Sequence, residues 1–350
     1  MKNFWIDLKN KSTKNGVPIT ALAPMADVTD AAFRRIIAKY GKPDVMWTEF
    51  VSADGLVRAT PKGKEKLLRD LLYDESERPV VVQLFSSNPE YMYSAAKMIR
   101  EMGFDGLDIN MGCPDRGIEK QKAGAAMMKN PRLARAVLRA ALEGVADGGV
   151  AIPVSVKTRI GYNKNELETW LPELLAERPA MITVHARTRK EMSDVPARWE
   201  HVKRAVEIRD DLQKMLPEKG RTLIFGNGDV MDLEDAKNKA LQTGADGIMF
   251  GRAIFGNPWL FKGLHTAGSA ECGFTSISTV EKLRVMVEHA QLFEKLLGDI
   301  KNFAIMKKHF KAYVSGFDGA VELRKQLMET GTAEDVKRVV DKYVDSICGV

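Results

Sequence analysis

The sequence contains few cysteines and no long hydrophobic run. Three cysteines (Cys113, Cys272 and Cys348) in 350 residues do not make a disulfide framework, and they lack the paired spacing of a zinc site. No apolar stretch approaches the roughly 20 residues that a membrane helix requires, and residues 1–16 contain no apolar signal-peptide core. These absences favour a protein of the reducing cytoplasm, with no metal site and no membrane segment.

The remaining composition is that of an ordinary globular protein, with 45% hydrophobic and 29% charged residues. A chain of 350 residues has room for one large domain and a smaller one. The net charge of +6 and the isoelectric point near 9.0 permit a nucleic-acid partner but do not require one.

Eight apolar, β-branched runs recur along the chain, with helical patterns between them. Because the runs are continuous rather than alternating, they predict parallel strands that are covered on both faces. Eight βα units in about 250 residues predict an α/β fold, a (β/α)8 TIM barrel, whereas a doubly wound open sheet usually has fewer strands. The runs are residues 18–24 (PITALAP), 44–50 (DVMWTEF), 79–85 (PVVVQLF), 104–110 (FDGLDIN), 153–158 (PVSVKT), 181–185 (MITVH), 222–226 (TLIFG) and 245–251 (ADGIMFG).

The pattern changes after the eighth run. Residues 264–278 are rich in Gly and Ser and predict a linker, and the chain from Thr279 onward is purely helical in pattern. We therefore expect a barrel domain at residues 1–263 and a small helical domain at residues 264–350. Within the latter, one apolar stripe and one basic strip are predicted on opposite sides of residues 301–315, and such a strip is either a solvated face or a contact for phosphates. The stripe is Phe303, Met306, Phe310 and Tyr313, and the strip is Lys301, Lys307, Lys308 and Lys311.

Cys113 occupies the most informative position in the chain. The predicted fourth strand stops at Asn110-Met111-Gly112-Cys113-Pro114, where Gly112 lets the backbone approach a ligand and Pro114 rules out immediate helix. The thiol is thereby placed where a parallel strand gives way to a loop, which is the usual location of chemistry in such folds. A small buried hydrophobic role for this cysteine is the competing interpretation.

Polar residues and glycines follow several other predicted strands, and a barrel would bring them to one face. Glycines after strands seven and eight (Gly226, Gly228 and Gly251) allow backbone N–H groups to reach a phosphate. Lys157 ends a buried strand and needs an anionic or accepting partner, while His185 is either a ligand contact or a satisfied core histidine. The strand ends therefore favour a ligand that carries a phosphate.

At these residues the sequence resembles the FMN-dependent tRNA-dihydrouridine synthase family. The resemblance runs in register from about Ile19 to Phe261 and continues more loosely into the helical tail. No single motif is highly specific, but their order and spacing together are. The matching stretches are residues 23–34 (APMADVTDAAFR), 48–56 (TEFVSADGL), 80–90 (VVVQLFSSNPE), 108–114 (DINMGCP), 123–131 (AGAAMMKNP), 156–162 (VKTRIGY), 183–192 (TVHARTRKEM), 226–230 (GNGDV) and 244–261 (GADGIMFGRAIFGNPWLF).

The resemblance implies a redox enzyme that acts on tRNA. NADPH, or NADH, would reduce FMN, the reduced flavin would transfer hydride to carbon 6 of a uracil, and Cys113 would protonate carbon 5. A cysteine suits this role because its ordinary pKa near 8.5 leaves it mostly protonated at neutral pH. The helical domain would bind the tRNA, and no stable protein partner is implied.

The resemblance also implies a role for each site residue. Cys113 would be catalytic, and Asn110, Arg159 and Arg187 would bind the substrate. Arg189 and Lys190 would meet the RNA backbone, unless they form a solvated face. The residues expected to bind the cofactor are Pro24, Met25, Ala26, Gln83, Lys157, His185, Asn227, Gly228, Asp229, Gly251 and Arg252.

Two features of the sequence differ from the pattern of the family. Many members have a tyrosine where this chain has Ser193, and many have two basic residues where this chain has Asp115-Arg116-Gly117. Both differences concern the position and affinity of the substrate rather than flavin chemistry.

Two alternatives to this function are considered. One is another FMN barrel oxidoreductase that acts on a free pyrimidine, such as a dihydroorotate dehydrogenase-like enzyme. Such an enzyme offers no role for the helical tail. The other is a flavin-free tRNA-binding protein on a barrel scaffold, which would be colourless when purified.

Overall fold

The computed structural model describes residues 3–217, 220–262 and 277–348. Within these residues the chain divides into two compact units. The first comprises Met1–Met25, Asp44–Tyr73 and Arg78–Arg252, and the second comprises Ala26–Pro43, Asp74–Glu77 and Ala253–Val350. The predicted domain boundary at residues 263 and 264 lies outside the described residues, as does most of the predicted linker.

The first unit is built on eight parallel strands, which confirms the predicted barrel. Neighbouring strands follow the chain from β2 to β8, and β8 pairs with β1. The ring closes between β1 and the start of β2, because the Leu22 N–H donates to the Val45 carbonyl oxygen at 3.0 Å and the Val45 N–H donates to that of Thr20 at 3.1 Å. The strands are β1 Ile19–Leu22, β2 Met46–Ser52, β3 Val80–Phe85, β4 Gly106–Met111, β5 Val154–Arg159, β6 Met181–His185, β7 Leu223–Asn227 and β8 Gly247–Phe250.

The helices of this unit pack beside one another in chain order around the strands. Several of them begin after a side-chain N-terminal cap: Asn88, Asn130 and Asp232 each accept backbone N–H groups of the first turn. The apolar side chains that the strands turn outward are buried against these helices. The helices are α1 Phe4–Asn15, α3 Ala53–Arg58, α4 Pro61–Asp70, α5 Pro89–Glu101, α6 Arg116–Lys120, α7 Pro131–Ala146, α8 Leu167–Leu175, α9 Glu200–Gln213 and α10 Leu233–Thr243, with a short 3₁₀ turn at Gly124–Lys129.

Helix α1 was not predicted from the sequence. Its Trp5 is 2% exposed and packs against Trp47 and Phe225, with ring centroids 6.0 and 5.5 Å apart. Because these residues belong to the first half of β2 and the middle of β7, the helix covers the N-terminal end of the barrel. The opposite, C-terminal end of the strands is thereby left for chemistry.

The second unit is helical, as predicted for the tail, and it also contains the helix that follows β1. Its described helices are α2 Ala31–Tyr40, α11 Thr279–Leu297, α12 Met306–Tyr313, α13 Ala320–Met328 and α14 Ala333–Cys348. The predicted apolar stripe is confirmed, because Met306, Phe310 and Tyr313 are fully buried and Phe303 packs against the same core. Lys308 and Lys311 are exposed on the other side, while Lys301 and Lys307 are partly buried. No helix in the described ranges is long and apolar enough to cross a membrane.

Candidate active site

One cavity at the C-terminal ends of the strands collects the predicted site residues. It has a volume of about 270 Å³ and lies within the first unit. Of the residues predicted to be catalytic or to bind the cofactor or the substrate base, only Ala26 is missing from its lining, and that residue is exposed. The lining includes Pro24, Met25, Gln83, Asn110, Cys113, Lys157, Arg159, His185, Arg187, Asn227, Gly228, Asp229, Gly251 and Arg252.

Cys113 is held in place by a tight turn at the end of β4. The side-chain oxygen of Asn110 accepts hydrogen bonds from the N–H groups of Gly112 at 3.1 Å and Cys113 at 2.9 Å. On the other side, the Cys113 carbonyl oxygen accepts from the Ala125 N–H at 2.9 Å. Gly124 makes this contact possible, because its φ is +61° and a Cβ there would lie 2.8 Å from the Cys113 oxygen. The backbone around the thiol is therefore fixed from two directions.

Gly112 contributes to this turn in a way that sequence reasoning did not anticipate. A Cβ at this position would lie 3.2 Å from the backbone of Thr158, on the neighbouring strand. The missing side chain therefore allows the end of β4 to approach β5, in addition to placing Gly112 in the cavity lining.

The thiol of Cys113 lies against apolar side chains. Cys113 and Phe50 are half-buried and pack on a small cluster formed by Phe85, Ile118 and Ala123. Burial raises the pKa of Cys113 above its ordinary value, and the nearby carboxylate of Asp115 raises it further. The backbone N–H of Asp115 and the positive charges of Lys157 and Arg159 lower this pKa and offset part of the rise. The thiol consequently retains its proton at neutral pH.

Lys157 is the clearest sign of a ligand in this cavity. Its side chain makes no hydrogen bond or ion pair with any other described residue, although it projects from the middle of a barrel strand. Burial and the neighbouring Arg159 lower its pKa to about 8. An ammonium in such a place calls for an accepting or anionic group, which a bound ligand would supply.

Arg159 is hydrogen-bonded to the loops after β4 and β6 rather than standing free in the cavity. Its Nε donates to the Gly112 oxygen at 2.8 Å, and its Nη1 donates to the oxygens of Thr188 and Met192 at 3.1 and 2.9 Å. The second terminal nitrogen, Nη2, bonds to no described residue. Because its partners are carbonyls, burial lowers the pKa of this guanidinium to about 10. Arg159 thus fixes the loops after β4 and β6 and keeps one nitrogen for a ligand.

His185 is neutral in this environment. Its burial and the surrounding cations Lys157, Arg159 and Arg187 lower its pKa well below 6.5. The Nε2 atom lies 3.2 Å from Nη1 of Arg187, which can only donate, so Nε2 accepts and Nδ1 carries the hydrogen. His185 therefore contributes a neutral N–H donor.

Asp229 neutralises two arginines that sequence reasoning treated separately. One carboxylate oxygen accepts from Nη2 of Arg187 and, at 2.9 Å, from the N–H of Ala197, and the other accepts from Nη2 of Arg252 at 2.6 Å. Arg187 is 2% exposed and also donates to the Val195 oxygen at 2.5 Å. Arg187 is thus held inside the protein, at the wall of the cavity.

Arg189, which was predicted to contact RNA, likewise interacts with other residues of the protein. Its guanidinium pairs with Glu119 through two nitrogens and stacks over the ring of Tyr162, whose centroid is 5.3 Å away. This arrangement favours the structural interpretation of Arg189, whereas the adjacent Lys190 is exposed.

Gly228, after β7, and Gly251, after β8, differ in what a Cβ atom at each position would contact. A Cβ on Gly228 would lie 2.9 Å from Cβ of Ala197 and 3.1 Å from the ring of His185, and its φ of +122° also favours glycine. At Gly251 only Sδ of Met25 lies within 4 Å, at 3.9 Å, so a Cβ there would occupy the cavity itself. Gly251 therefore leaves room for a ligand, while Gly228 serves the packing of the loop.

These residues fit a flavin nucleotide. Three donors in the lining have no partner among the described residues and can bond a ligand: the ammonium of Lys157, Nη2 of Arg159 and Nδ1–H of His185. Four cations and one carboxylate line the cavity, so its field is positive. A flavin offers accepting oxygens and nitrogens on its ring and, as FMN, a phosphate.

Two further lining residues had not been assigned a role from the sequence. Phe50, from β2, places an aromatic ring at the cavity, and its ring lies 6.2 Å from that of Phe85. Ser193 lines the cavity and is exposed, so the position where many relatives have tyrosine faces the site. Phe50 lies inside a motif of the resemblance, which is the signal that could have identified it.

Comparison with known proteins identifies the family. The family model described as dihydrouridine synthase matches residues 21–347. The chain belongs to the dihydrouridine synthase family. It is 34% identical over 344 residues to a probable tRNA-dihydrouridine synthase of Staphylococcus aureus (strain COL), covering 98% of this chain and 96% of that protein. Over 351 residues it is also 34% identical to probable tRNA-dihydrouridine synthase 2 of Bacillus subtilis (strain 168), covering 99% of each.

A solved structure agrees with the fold. Histamine dehydrogenase from Rhizobium sp. 4-9 superimposes with a TM-score of 0.53 at 14% identity, covering 78% of this chain and 49% of that one. Membership of the dihydrouridine synthase family confirms the predicted resemblance and the predicted class, a flavin-dependent oxidoreductase. It does not favour the alternative of an enzyme for free pyrimidines.

Proposed function

We propose that this chain reduces the 5,6 double bond of specific uridines in tRNA, in the cytoplasm, with NADPH as electron donor and FMN as cofactor. The observation that carries the proposal is that the thiol of Cys113, whose pKa is raised by burial, and the ammonium of Lys157, which has no partner among the described residues, line the same cavity. A proton donor and a binding group for an electron-rich ligand are the two things that such a reduction needs from the protein.

The reaction consumes NADPH, uridine and one proton and yields NADP⁺ and dihydrouridine. FMN, when bound in this cavity, would supply the hydride for carbon 6 of the uracil. Cys113 gives its S–H proton to carbon 5, and the resulting thiolate takes a proton from solvent before the next turnover. Lys157 and Arg159 favour the thiolate by their charge, so the same surroundings accommodate both forms of Cys113.

Roles for the other residues are those that the family resemblance implies. Lys157, His185, Gly251 and the loop at Asn227, Gly228 and Asp229 would hold the flavin, together with Pro24, Met25, Ala26, Gln83 and Arg252. Asn110, Arg159 and Arg187 would face the uracil. The helical domain of residues 264–350 would hold the tRNA so that the target base can leave its stack. No stable protein partner is needed.

Mass spectrometry of nucleosides from unmodified tRNA, incubated with the protein, FMN and NADPH, tests this function. We expect a gain of about 2 Da on specific uridines, since two hydrogens are added. Cys113→Ala should retain bound flavin but lose at least about 10²-fold in rate, the contribution of a general acid. Cys272→Ser is the matched control and should remain active.

The outcomes separate the alternatives. Flavin-loaded protein that modifies no tRNA would contradict the proposal, and turnover of a free pyrimidine would then favour the other flavoenzyme class. Full activity of Cys113→Ala would remove Cys113 from the mechanism and leave the substrate assignment intact.

A further inference from the structure

An unbroken series of hydrogen bonds beneath the cavity leads from Asp108 to Cys113. Asp108 lies in β4, is fully buried, and accepts from Nε2 of Gln83 at 2.6 Å. The Gln83 oxygen accepts from Nδ2 of Asn110 at 2.9 Å. The Asn110 oxygen in turn accepts from the N–H groups of Gly112 and Cys113. We call Asp108, Gln83 and Asn110 the relay.

The groups at the two ends of the relay, Asp108 and the backbone N–H groups at Cys113, together allow only one orientation of the side-chain amides of Gln83 and Asn110. At one end, the backbone N–H groups can only donate, so Asn110 must present its oxygen to them. At the other end, burial raises the pKa of Asp108 to about 6, so at pH 7 and above its carboxylate is ionised and can only accept. Gln83 must therefore present its nitrogen to it. The contact between the two amides then joins a nitrogen to an oxygen, and every bond is satisfied. Turning either amide over would bring donors against donors or acceptors against acceptors.

Gln83 is not the only donor beside Asp108, because the indole N–H of Trp47 also acts on its carboxylate. Its other oxygen accepts from the Ser155 hydroxyl at 2.5 Å, and both residues are buried. Asp108 does not contact Cys113 through any hydrogen bond in the described residues, and it is not part of the cavity lining. Apart from the field of its charge, any effect that Asp108 has on the thiol therefore passes through the two amides.

We propose that Asp108 is a positioning residue, which orients Gln83 and Asn110 and thereby fixes the turn that presents the Cys113 thiol to the uracil. The proposal deepens the proposed function and rests on it for the role of Cys113. The turn itself can be measured without turnover, so the two can be tested separately.

The negative charge of Asp108 must be separated from its ability to accept a hydrogen bond, because Lys157 lies within its field. Asp108→Asn removes the charge but can still accept from Gln83. Its new amide nitrogen can donate to Ser155, whose hydroxyl can turn to the Leu107 oxygen 3.4 Å away. Asp108→Leu removes the charge and the acceptor together. An effect of charge appears in both variants, whereas an effect of orientation appears only in Asp108→Leu.

The test measures the rate of iodoacetamide alkylation of Cys113 in full-length protein, followed on its own peptide by mass spectrometry. We expect Asp108→Leu to accelerate alkylation about tenfold, the factor that corresponds to loss of roughly one hydrogen bond holding the turn. Asp108→Asn and the control Ser155→Ala should stay within about twofold of the unaltered protein, as expected when the relay is kept. Equal rates in Asp108→Leu and Asp108→Asn would overturn the proposal.

A second measurement applies if Asp108→Leu does not fold. Asn110→Asp places Gln83 between two carboxylates, so one of its contacts becomes acceptor against acceptor. Adding Asp108→Asn reverses the relay: Gln83 turns over, donates to Asp at position 110 and accepts from Asn at position 108. We expect the second substitution to reverse the change in alkylation rate that Asn110→Asp causes by a factor of at least about five. Additive effects of the two substitutions would contradict the relay.

The activity assay then distinguishes the two proposals. The predicted alkylation pattern in proteins that modify no tRNA would refute the proposed function and support the relay. Modification of tRNA that is unaffected in Asp108→Leu, with unchanged alkylation, would refute the relay and support the proposed function.

Discussion

Two buried histidines in the helical unit should make its free energy of unfolding fall steeply as the pH is lowered below 6.5. His289 and His309 are 0% exposed, and their ring centroids lie 4.7 Å apart. None of their four ring nitrogens has a hydrogen-bond partner among the described residues. The rings pack instead against Phe33, with centroids 5.5 and 5.0 Å away. Both histidines must be neutral in the folded protein, because no described residue near them compensates a charge.

The magnitude follows from the pKa of His289. Burial lowers it from an ordinary value of 6.5 to about 3, and it also lowers the pKa of His309. Since the folded state binds the proton less readily than the unfolded chain, stability is full above pH 6.5 and falls as the pH approaches 3. At pH 5 the protonation of unfolded His289 alone costs about 2 kcal/mol. His309 adds to this loss in the same direction.

Urea unfolding at pH 7.5, 6.5 and 5.0 measures the effect, with His289→Leu as the perturbation. At pH 7.5 this variant should be at least as stable as the unaltered protein, because two buried nitrogens without partners are removed. At pH 5.0 it should be more stable by about 2 kcal/mol. The control is His201→Gln, at a partly exposed position in α9, which should leave the pH dependence unchanged. Parallel pH profiles for the unaltered protein and His289→Leu would refute the reasoning.

Two further predictions concern charged side chains. Lys157→Met should weaken FMN binding about 10- to 100-fold, as expected for loss of a charge-assisted hydrogen bond. It should also stabilise the flavin-free protein, because it removes a half-buried cation that has no partner among the described residues. Fluorescence titration and urea unfolding measure the two effects, and unchanged affinity would contradict the placement of this lysine. Glu77→Gln should cost about 3–5 kcal/mol, because Arg34 and Glu77 are both 0% exposed and paired at 2.6 Å. Its control, Glu168→Gln, breaks the exposed pair with Arg204 and should cost no more than about 1 kcal/mol by the same unfolding assay; equal losses would refute the role of burial.

The sequence allowed the barrel and most of the cavity lining to be predicted, because both follow from local patterns. Continuous apolar runs identify parallel strands wherever they occur, and the topology of a barrel then brings the ends of those strands together. Lys157 and Gly251 could therefore be placed in one site although they are far apart in the chain. Helix α1 was missed because its signals, Asn3 before it and Gly16 after it, are short and its polar residues hide its amphipathic pattern.

What could not be predicted is how the polar groups pair. Asp229 with Arg252 and Arg187, or Gln83 with Asp108, are contacts between strands whose register no local pattern specifies. Arg159 shows the consequence. Its position indicated contact with a ligand, but most of its hydrogen bonds go to backbone oxygens of two loops. A buried arginine at a strand end is thus a support for the site as well as a part of it.

The surroundings of Cys113 meet two requirements for a proton donor, which must be protonated before the transfer and stable as an anion after it. In the resting state the thiol must keep its proton, and the apolar cluster formed by Phe85, Ile118 and Ala123 ensures this by raising its pKa. After the proposed transfer the thiolate must be tolerated, and the charges of Lys157 and Arg159 act in that direction. A hydrophobic pocket alone would make the thiolate too costly, and cations alone would ionise the thiol before the uracil arrives. Because the turn at Asn110 holds the sulfur between the two environments, geometry and acidity are set by the same few residues.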